Sequence, residues 1–255
     1  MMKKIIAVSL VLCAVALAGC ANEEKAKTPS SGSSEVSSVS LSTDNTSDTS
    51  SDTESKIKYT SGDYSYFIVD DGIVITEYHG SGVAHVVIPE TIDGRPVVEI
   101  KGFGTVETET VVFPETLKRI GESCFYRCLI ERLHIPASVE YIGGSLTFKV
   151  SNLKEYTVDP GNKYYTAVDG VIYTKDMKEL VAYPEGAERT EFSIPKGVEI
   201  ISVSSFGESP YELKKVFIPA EVKEFPIDYL YTVEDISVDP NNRYYCVVDG
   251  KLQSR

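Results

Sequence analysis

Few residues of this chain have the types and spacing that acid–base, nucleophilic or metal chemistry needs. Of its three histidines, His79 lies in a predicted hairpin and His85 and His134 lie at outward positions of predicted strands, and no G-x-S-x-G, phosphate-loop or H-E-x-x-H motif is present. Asp70-Asp71 and residues 159–162 offer oxygen ligands, but neither matches an EF-hand loop, and turn formation accounts for both. These residues predict no catalytic site, no metal and no cofactor, so the chain is not expected to be an enzyme.

Charge and composition exclude further classes of function. The 255 residues carry a formal net charge of −13, from 25 basic and 38 acidic side chains. Such an acidic balance disfavours nucleic acid, which is bound through clustered Lys and Arg, and electrostatic adsorption to anionic lipid. With 42% hydrophobic residues, the chain is long enough to bury a sizeable core in one or two domains.

The first twenty residues have the features of an export signal. Lys3 and Lys4 precede an apolar run at 5–18, which as a helix would reach only about 21 Å and would not span a bilayer. Leu17-Ala18-Gly19-Cys20 then resembles the bacterial lipobox, whose cysteine is acylated after cleavage just before it. We therefore predict a lipoprotein signal peptide at 1–19 and lipid attachment at Cys20; the alternative is an ordinary secretory signal with an incidental cysteine.

A tether follows the predicted anchor. Residues 28–55 contain 17 Ser or Thr, five acidic residues and no basic residue. Such a segment cannot bury enough apolar surface to offset its ordering entropy. Residues 20–58 are predicted to be the lipidated cysteine and a disordered spacer.

Short apolar runs that end in proline recur along the rest of the chain. The prolines are Pro89, Pro114, Pro136, Pro160, Pro195, Pro219 and Pro240, at spacings of 25, 22, 24, 35, 24 and 21 residues. Alternation before each proline predicts a short strand with one buried face, which the proline ends. Units of this size bury their apolar faces only by stacking, so the pattern favours a solenoid of parallel strands over an antiparallel β-sandwich.

The repeated units resemble a known family. Residues 88–100 (IPETIDGRPVVEI), 113–128 (FPETLKRIGESCFYRC) and 134–143 (HIPASVEYIG) are similar to the BspA-like, Treponema pallidum-type leucine-rich repeat. The resemblance covers about residues 64–250 and weakens at 198–209 and 222–231. It implies a mainly β leucine-rich-repeat solenoid, and it implies adhesion or host–microbe contact as the function.

Two additional segments accompany the repeats. Residues 59–83 are predicted to form an N-terminal capping hairpin around Asp71-Gly72, and residues 84–255 are predicted to form the solenoid. An insertion at 162–184 also reads as a hairpin and explains the 35-residue spacing. Its first half recurs at 241–252, which predicts an exposed C-terminal sheet edge and a weak homodimer through it.

Three cysteines remain after the signal: Cys124, Cys128 and Cys246. Their number is odd, and the spacing of the first two is C-x₃-C rather than the C-x₂-C of redox or zinc sites. All three are interpreted as buried small hydrophobic residues.

The alternation that buries one face of each strand exposes the other. The candidate partner-binding residues on that outward face are His85, Val87, Thr110, Val112, Arg132, His134, Glu155, Thr157, Lys215 and Phe217. Exposed apolar side chains on a repeated sheet favour a protein partner, although an ordinary solvent-exposed face explains the pattern equally well. Tyr164-Tyr165 and Tyr244-Tyr245 are candidates for stacking on sugars, but packing inside the hairpins is the favoured interpretation.

The resulting hypothesis is a lipid-anchored protein on the outer face of a bacterial membrane whose repeat domain binds protein partners without catalysis. The alternative is a carbohydrate-binding or envelope-structural module.

Overall fold

The computed structural model of the chain describes residues 57–103, 107–147, 149–207, 212–227 and 233–255, which form twenty β-strands and no α-helix. In chain order the strands are β1 (Tyr59–Ser61), β2 (Tyr64–Val69), β3 (Gly72–Tyr78), β4 (His85–Val87), β5 (Thr91–Ile92), β6 (Arg95–Ile100), β7 (Thr110–Val112), β8 (Arg119–Ile120), β9 (Arg132–Ile135), β10 (Tyr141–Ile142), β11 (Glu155–Val158), β12 (Tyr165–Val168), β13 (Val171–Thr174), β14 (Glu179–Ala182), β15 (Glu191–Ser193), β16 (Ile200–Ile201), β17 (Lys215–Ile218), β18 (Asp235–Val238), β19 (Tyr245–Val248) and β20 (Lys251–Ser254). The predicted signal peptide, Cys20 and nearly all of the predicted tether lie outside the described residues.

Each of the seven apolar runs that precede a proline forms a strand, and we call these the front strands: β4, β7, β9, β11, β15, β17 and β18. Within the front strands, β4 pairs with β7, β9 with β11, β15 with β17 and β17 with β18, all in parallel at equivalent positions, for example Leu133 with Tyr156 and Val216 with Ile236. Parallel pairing between successive units is the geometry of a solenoid and excludes the antiparallel sandwich. The predicted fold class is confirmed.

A second column of strands runs along the other side of the coils. The apolar-x-x-apolar segments after the prolines form β6, β8, β10 and β16, which we call the back strands. Ile100 lies beside Ile120, and Ile120 beside Ile142, in parallel register. The last segment, at 222–225, contributes only an isolated bridge between Ile200 and Glu224, at one of the places where the repeat motif weakens.

The N-terminal cap has one strand more than a hairpin. β1, β2 and β3 form an antiparallel meander, and β3 then pairs in parallel with β6 of the first coil. Val69 pairs with Gly72, so the turn is Asp70-Asp71, one residue earlier than predicted. A Cβ atom at position 72 would lie 2.3 Å from the Pro96 carbonyl oxygen, which explains a glycine where the cap meets the coil.

The insertion at 162–184 is likewise three-stranded. β12, β13 and β14 form a meander, which we call the second meander, and β14 pairs in parallel with back strand β16. The turn between β12 and β13 is Asp169-Gly170, where both φ angles are positive (51° and 77°), as a type I′ hairpin turn requires. Strand β13 is buried on both faces, since Val171, Ile172 and Tyr173 are each at most 1% exposed.

The second meander divides the interior into two hydrophobic cores. Ile172 and Ala182 pack with the coils that precede the insertion, and Val171, Tyr173 and Leu180 pack with the coils that follow it. The two faces of one inserted sheet therefore close two separate stacks of coils. The sequence predicts the insertion as a hairpin but does not indicate that it divides the core, because periodicity along the chain does not report which side of a strand is covered.

A tyrosine hydroxyl ends each column of back strands. Asn162 Nδ2 donates to the carbonyl oxygens of Pro136 and Val139 (2.8 and 2.9 Å), and the backbone N–H of Tyr165 donates to Asn162 Oδ1 (2.8 Å). So held, Tyr165 accepts a hydrogen bond at its hydroxyl from the N–H of Ile142 (3.0 Å). This N–H belongs to a terminal back strand, so the phenol replaces the strand that would come next.

The same cap recurs at the C-terminal hairpin formed by β19 and β20. Asn242 Nδ2 donates to the carbonyl oxygens of Pro219 and Val222 (2.8 and 3.0 Å), and Tyr245 accepts from the N–H of Phe225 (2.9 Å). Tyr165 and Tyr245 are both buried, as the hairpin-packing interpretation predicted, but that interpretation is wrong for Tyr164 and Tyr244, which are exposed. Sequence reasoning detected the repeated segment but did not identify the phenol as a cap.

Two of the three cysteines lie in the core as predicted. Cys124 and Cys128 are buried, and burial raises the pKa of the Cys124 thiol well above its ordinary value. The prediction is wrong for Cys246, which is only half-buried. It stands opposite Gln253 in the C-terminal hairpin, on the face that does not enter the core.

We predict that Tyr165→Phe lowers the free energy of unfolding by about 1–3 kcal/mol, because the buried Ile142 N–H loses its acceptor while the ring stays in place. Urea denaturation followed by circular dichroism measures the change. Tyr164→Phe, at an adjacent side chain that is 47% exposed, is the matched control and should change stability by about 0.5 kcal/mol or less. Equal losses in the two variants would contradict the capping role.

Candidate functional site

The outward side of the front strands brings the predicted site residues onto a common surface. We call this surface the front face; its residues are His85, Val87, Thr110, Val112, Arg132, His134, Glu155, Thr157, Glu191, Ser193, Lys215, Phe217, Asp235 and Ser237. All are exposed except Glu155, which is half-buried. Strand pairing puts them in rows, with Val87 beside Val112 and His134 beside Thr157.

Polar side chains of the front face bind one another across neighbouring strands. His85 Nδ1 lies 2.9 Å from Thr110 Oγ1, and His134 Nδ1 lies 2.9 Å from Thr157 Oγ1. Arg132 pairs with Glu155 at 3.1 Å in the same way. These cross-strand contacts restrict the side chains and neutralise the arginine within the surface.

The second half of the front face shows the same charge pairing. Lys215 Nζ lies 3.0 Å from Glu191 Oε1. A hydrogen bond to Glu191, together with the negative charges of Glu191 and Asp235, raises the pKa of Lys215. Both signs of charge alternate along this row, so it presents no strong field of one sign.

Between the paired charges, the front face carries exposed apolar groups. Val87 and Val112 are 67% and 55% exposed and lie side by side on β4 and β7. We call these two side chains the valine patch. Valines in a folded sheet expose apolar surface at no gain in stability, which makes this patch a candidate contact surface.

The second meander divides the front face, as it divides the core. On one side the carbonyl oxygen of Gly170 accepts from the N–H of Tyr156 on β11 (2.9 Å), and on the other the carbonyl oxygen of Asp169 accepts from the Arg189 guanidinium just before β15. The turn thus separates β11 from β15. Eight of the ten predicted site residues lie together on β4, β7, β9 and β11, whereas Lys215 and Phe217 belong to a second group on β17.

One serine–histidine contact was not predicted. Ser65 Oγ lies 2.7 Å from His79 Nε2, and Glu77 Oε2 lies 3.7 Å from the same nitrogen. In a catalytic triad the carboxylate instead binds the opposite ring nitrogen, and the nucleophile is accessible. Ser65 is 3% exposed on β2, so this contact fastens the end of the N-terminal meander.

The remaining candidates resolve into turn and surface roles. Asp159 Oδ1 accepts the N–H of Gly161 (2.7 Å), so residues 159–162 form a side-chain-capped turn as expected. Among the described residues, no three His, Cys, Asp or Glu side chains are close enough together to share a metal ion. Tyr164 and Tyr244 project into solvent from equivalent positions, each next to a buried capping tyrosine.

Charge networks cover the opposite side of the coils. Arg119 stacks on the ring of Tyr141 at 4.4 Å and lies 3.6 Å from Glu99, which also contacts Lys101. Further along, Glu199 binds Lys178 at 2.6 Å and also binds Lys223. At these positions the back side presents paired charges, whereas the front face presents two adjacent exposed valines.

Comparison with known proteins gives a family for the repeats. Residues 76–180 match the model of the BspA type leucine-rich repeat region in six copies. No curated protein matches the chain. The described part of the chain contains no helix with the length and hydropathy that a membrane span requires.

Several solved structures are similar to the chain. A leucine-rich cell surface protein from Faecalibacterium prausnitzii is 18% identical, with a TM-score of 0.46, over 73% of this chain and 77% of that one. A leucine-rich repeat protein from Eubacterium ventriosum is 20% identical, with a TM-score of 0.45, over 72% of each chain. The pneumococcal vaccine antigen PcpA is 16% identical, with a TM-score of 0.36, over 72% of this chain and 70% of that one.

The charge network around Glu199 makes stability depend on pH. Hydrogen bonds from Lys178 and Lys223 lower the pKa of Glu199 from 4.5 to about 2. A carboxyl whose pKa falls on folding stabilises the fold above its unfolded pKa, and that contribution disappears as the pH drops through the folded value. We predict that Glu199→Gln destabilises the protein at neutral pH and that the difference from wild type vanishes near pH 2.

Urea denaturation of both proteins as a function of pH measures this difference. Glu140→Gln is the control, because Glu140 is an exposed glutamate of another coil. A Glu199→Gln effect that is constant from neutral pH to about pH 2 would refute the proposed charge contribution.

Proposed function

Since residues 76–180 of this chain match the model of the BspA type leucine-rich repeat region, we propose that the protein is a non-catalytic binding protein exported to a bacterial cell surface. Lipid on Cys20 would hold it there, because the cysteine directly follows a basic head and an apolar run. Two acyl chains suffice for stable anchoring. The Ser/Thr-rich segment would then carry the repeats away from the membrane.

The valine patch is the observation that supports a protein partner. Its two side chains stand on paired strands whose backbone is fixed by the stacked coils, so binding would order little of this surface. The neighbouring histidines and Arg132 are already engaged across strands. A partner can therefore bind the valine patch without desolvating an unpaired charge at its centre.

The surroundings of the valine patch indicate the chemistry of the partner. Acidic residues border the first front strands at both ends: Glu109 and Glu131 directly precede β7 and β9, and Glu90 and Glu115 follow the prolines that end β4 and β7. Leu129, which is 43% exposed, lines a groove with Glu109, Glu131 and Arg132 at the other end of β7. A protein surface with an apolar centre and a rim of Lys or Arg complements this arrangement.

Carbohydrate binding is the alternative supported by the exposed rings of Tyr164 and Tyr244. Each ring stands alone on its meander, whereas the valines are adjacent. We therefore place the primary contact at the valine patch.

We predict that a photo-crosslinking amino acid at position 112, in the mature chain incubated with intact cells, captures a protein with a basic surface. The same group at position 119 on the back side should capture none of it. Val87→Asp/Val112→Asp should weaken binding of the captured protein at least about tenfold, because both apolar contacts are lost.

Val203→Asp is the matched control, since this valine is 68% exposed in the turn after β16 and lies outside the front face. It should bind the captured protein as wild type does. A glycan array that is positive for the mature chain and negative for Tyr164→Ala/Tyr244→Ala would instead establish the carbohydrate alternative.

The anchor has a test of its own. We predict that mass spectrometry of the protein from its native membrane finds a diacylglyceryl group on an N-terminal Cys20. Cys20→Ala should shift the protein from the membrane fraction to the medium. Membrane retention of this variant would show that another element anchors the chain.

A further inference from the structure

A groove runs along the turns that precede the front strands. Its first part has a volume of about 590 Å³ and is lined by residues from Glu109 to Asn152. Its second part has a volume of about 430 Å³ and is lined by residues from Glu131 to Glu212. Glu131 and Asn152 line both parts, so the two are continuous. We call the whole the turn groove.

Backbone hydrogen bonds join the turns that line the turn groove. Lys154 N–H donates to the Glu131 carbonyl oxygen (2.9 Å), and Gly186 N–H donates to the Leu153 carbonyl oxygen (2.8 Å). A Cβ atom on Gly186 would lie 2.3 Å from the Ser151 carbonyl oxygen, so these turns are in close contact. The turns therefore stay stacked where the second meander separates β11 from β15. The turn groove crosses the break in the front face and spans both stacks of coils.

Carboxylates outnumber cations in the turn groove. Acidic side chains occur across the surface of a chain of net charge −13, but here they line a concave surface that also contains Leu129, which is 43% exposed. The cation Arg132 is already paired with Glu155 at 3.1 Å. The described lining residues with a charge are the carboxylates Glu109, Glu131, Glu185, Glu188 and Glu212 and the cations Arg132 and Lys154.

The ammonium group of Lys154 is bound within the turn groove. Its Nζ lies 3.2 Å from Glu188 Oε1 and 4.0 Å from Glu131 Oε2, between carboxylates of the coils on either side. A hydrogen bond to Glu188 and the negative charges of Glu131 and Glu188 raise the pKa of Lys154. Glu109 and Glu131 hold the same position on successive coils, directly before β7 and β9, and line the same part of the groove. Like charges at neighbouring positions repel each other, and a further ammonium group between them would relieve the repulsion.

The length of the turn groove fits an extended polypeptide. The groove follows the turns before β7, β9, β11, β15 and β17, with Glu109 at one end and Glu212 at the other, both exposed. At about 4.8 Å from one coil to the next, it is about 20 Å long. An extended chain spans that distance with about six residues.

We propose that the turn groove binds an extended cationic segment of another protein, whose Lys or Arg side chains lie between carboxylates of neighbouring coils. Leu129 contacts the aliphatic stem of one of these side chains. The exposed side-chain amide of Asn152, where the two parts of the groove meet, binds the backbone of the segment. This binding mode rests on the proposed function, in which the partner is a protein, and adds a contact that spans both stacks of coils.

The probe is fluorescent hexalysine. We expect saturable binding to the mature chain by fluorescence anisotropy at low salt, with an affinity that falls as salt screens the charges. Glu109→Gln/Glu212→Gln should weaken this binding at least about fivefold. Glu140→Gln/Glu224→Gln removes the same charge at exposed positions next to the back strands and should weaken it less than about twofold. Equal weakening by the two pairs, or no binding up to about millimolar concentration, would overturn the proposal.

Asn152→Trp tests the shape of the turn groove without a change of charge. The indole should fill the junction of the two parts and weaken hexalysine binding at least about fivefold. Ser237→Trp, at an exposed serine of β18, is the matched control and should bind as wild type does. Equal urea midpoints for the two variants would exclude a folding defect. Unchanged binding by Asn152→Trp would show that hexalysine responds only to net charge and would refute a groove.

Two further measurements separate this site from other readings. Spermine should compete with hexalysine about threefold less well or worse at equal charge, because it has no carbonyl oxygen for the Asn152 amide; equal competition would overturn the assignment to a polypeptide. Val87→Ser/Val112→Ser removes the apolar contacts of the valine patch without adding charge and should leave hexalysine binding unchanged. Hexalysine binding without photo-capture at position 112 would therefore refute only the valine patch, and capture without hexalysine binding would refute only the turn groove.

Discussion

A coil of some 21–25 residues cannot bury its apolar side chains by itself, and this constraint governs the rest of the structure. Each coil contributes one front strand and, in some coils, one back strand of two to six residues. Parallel pairing with the next coil satisfies the backbone and closes the apolar interior. Every interruption of the stack therefore requires a substitute for the missing neighbour.

The meanders provide that substitute. The first covers the N-terminal coil through β3 and β6, and the second inserts a sheet whose two faces close two cores. At each break a tyrosine hydroxyl accepts the N–H that a further back strand would have engaged. The C-terminal hairpin uses the same cap but exposes Lys251 and Gln253 where its counterpart buries Val171 and Tyr173. Thus one structural unit serves as an internal wall in one place and has a polar outer face in another.

This construction also shapes the surface available for binding. The front strands cannot rearrange without unstacking coils, and their polar side chains are tied across strands by His–Thr and Arg–Glu contacts. The contact surface that we propose is the exposed apolar pair Val87 and Val112, which lies between these contacts. Because the second meander interrupts the front face, a partner of ordinary size would meet the first four front strands as one surface and the last three as another.

Much of this architecture could be predicted from local sequence. The seven prolines located the seven front strands, and alternation correctly separated buried residues such as Leu133 from exposed ones such as His134, because side-chain direction alternates within each strand. The repeated phrase predicted the repeat family whose model matches residues 76–180, and the repeated NxYY segment located the second meander and the C-terminal hairpin. The tertiary structure alone decided what depends on contacts between distant positions: the division of the core by β13, the break in the front face at Asp169-Gly170, the reach of Tyr165 to Ile142, and the half-exposed position of Cys246. Periodicity specifies which way a side chain points from its own strand, but only the folded chain determines which neighbour, if any, covers it.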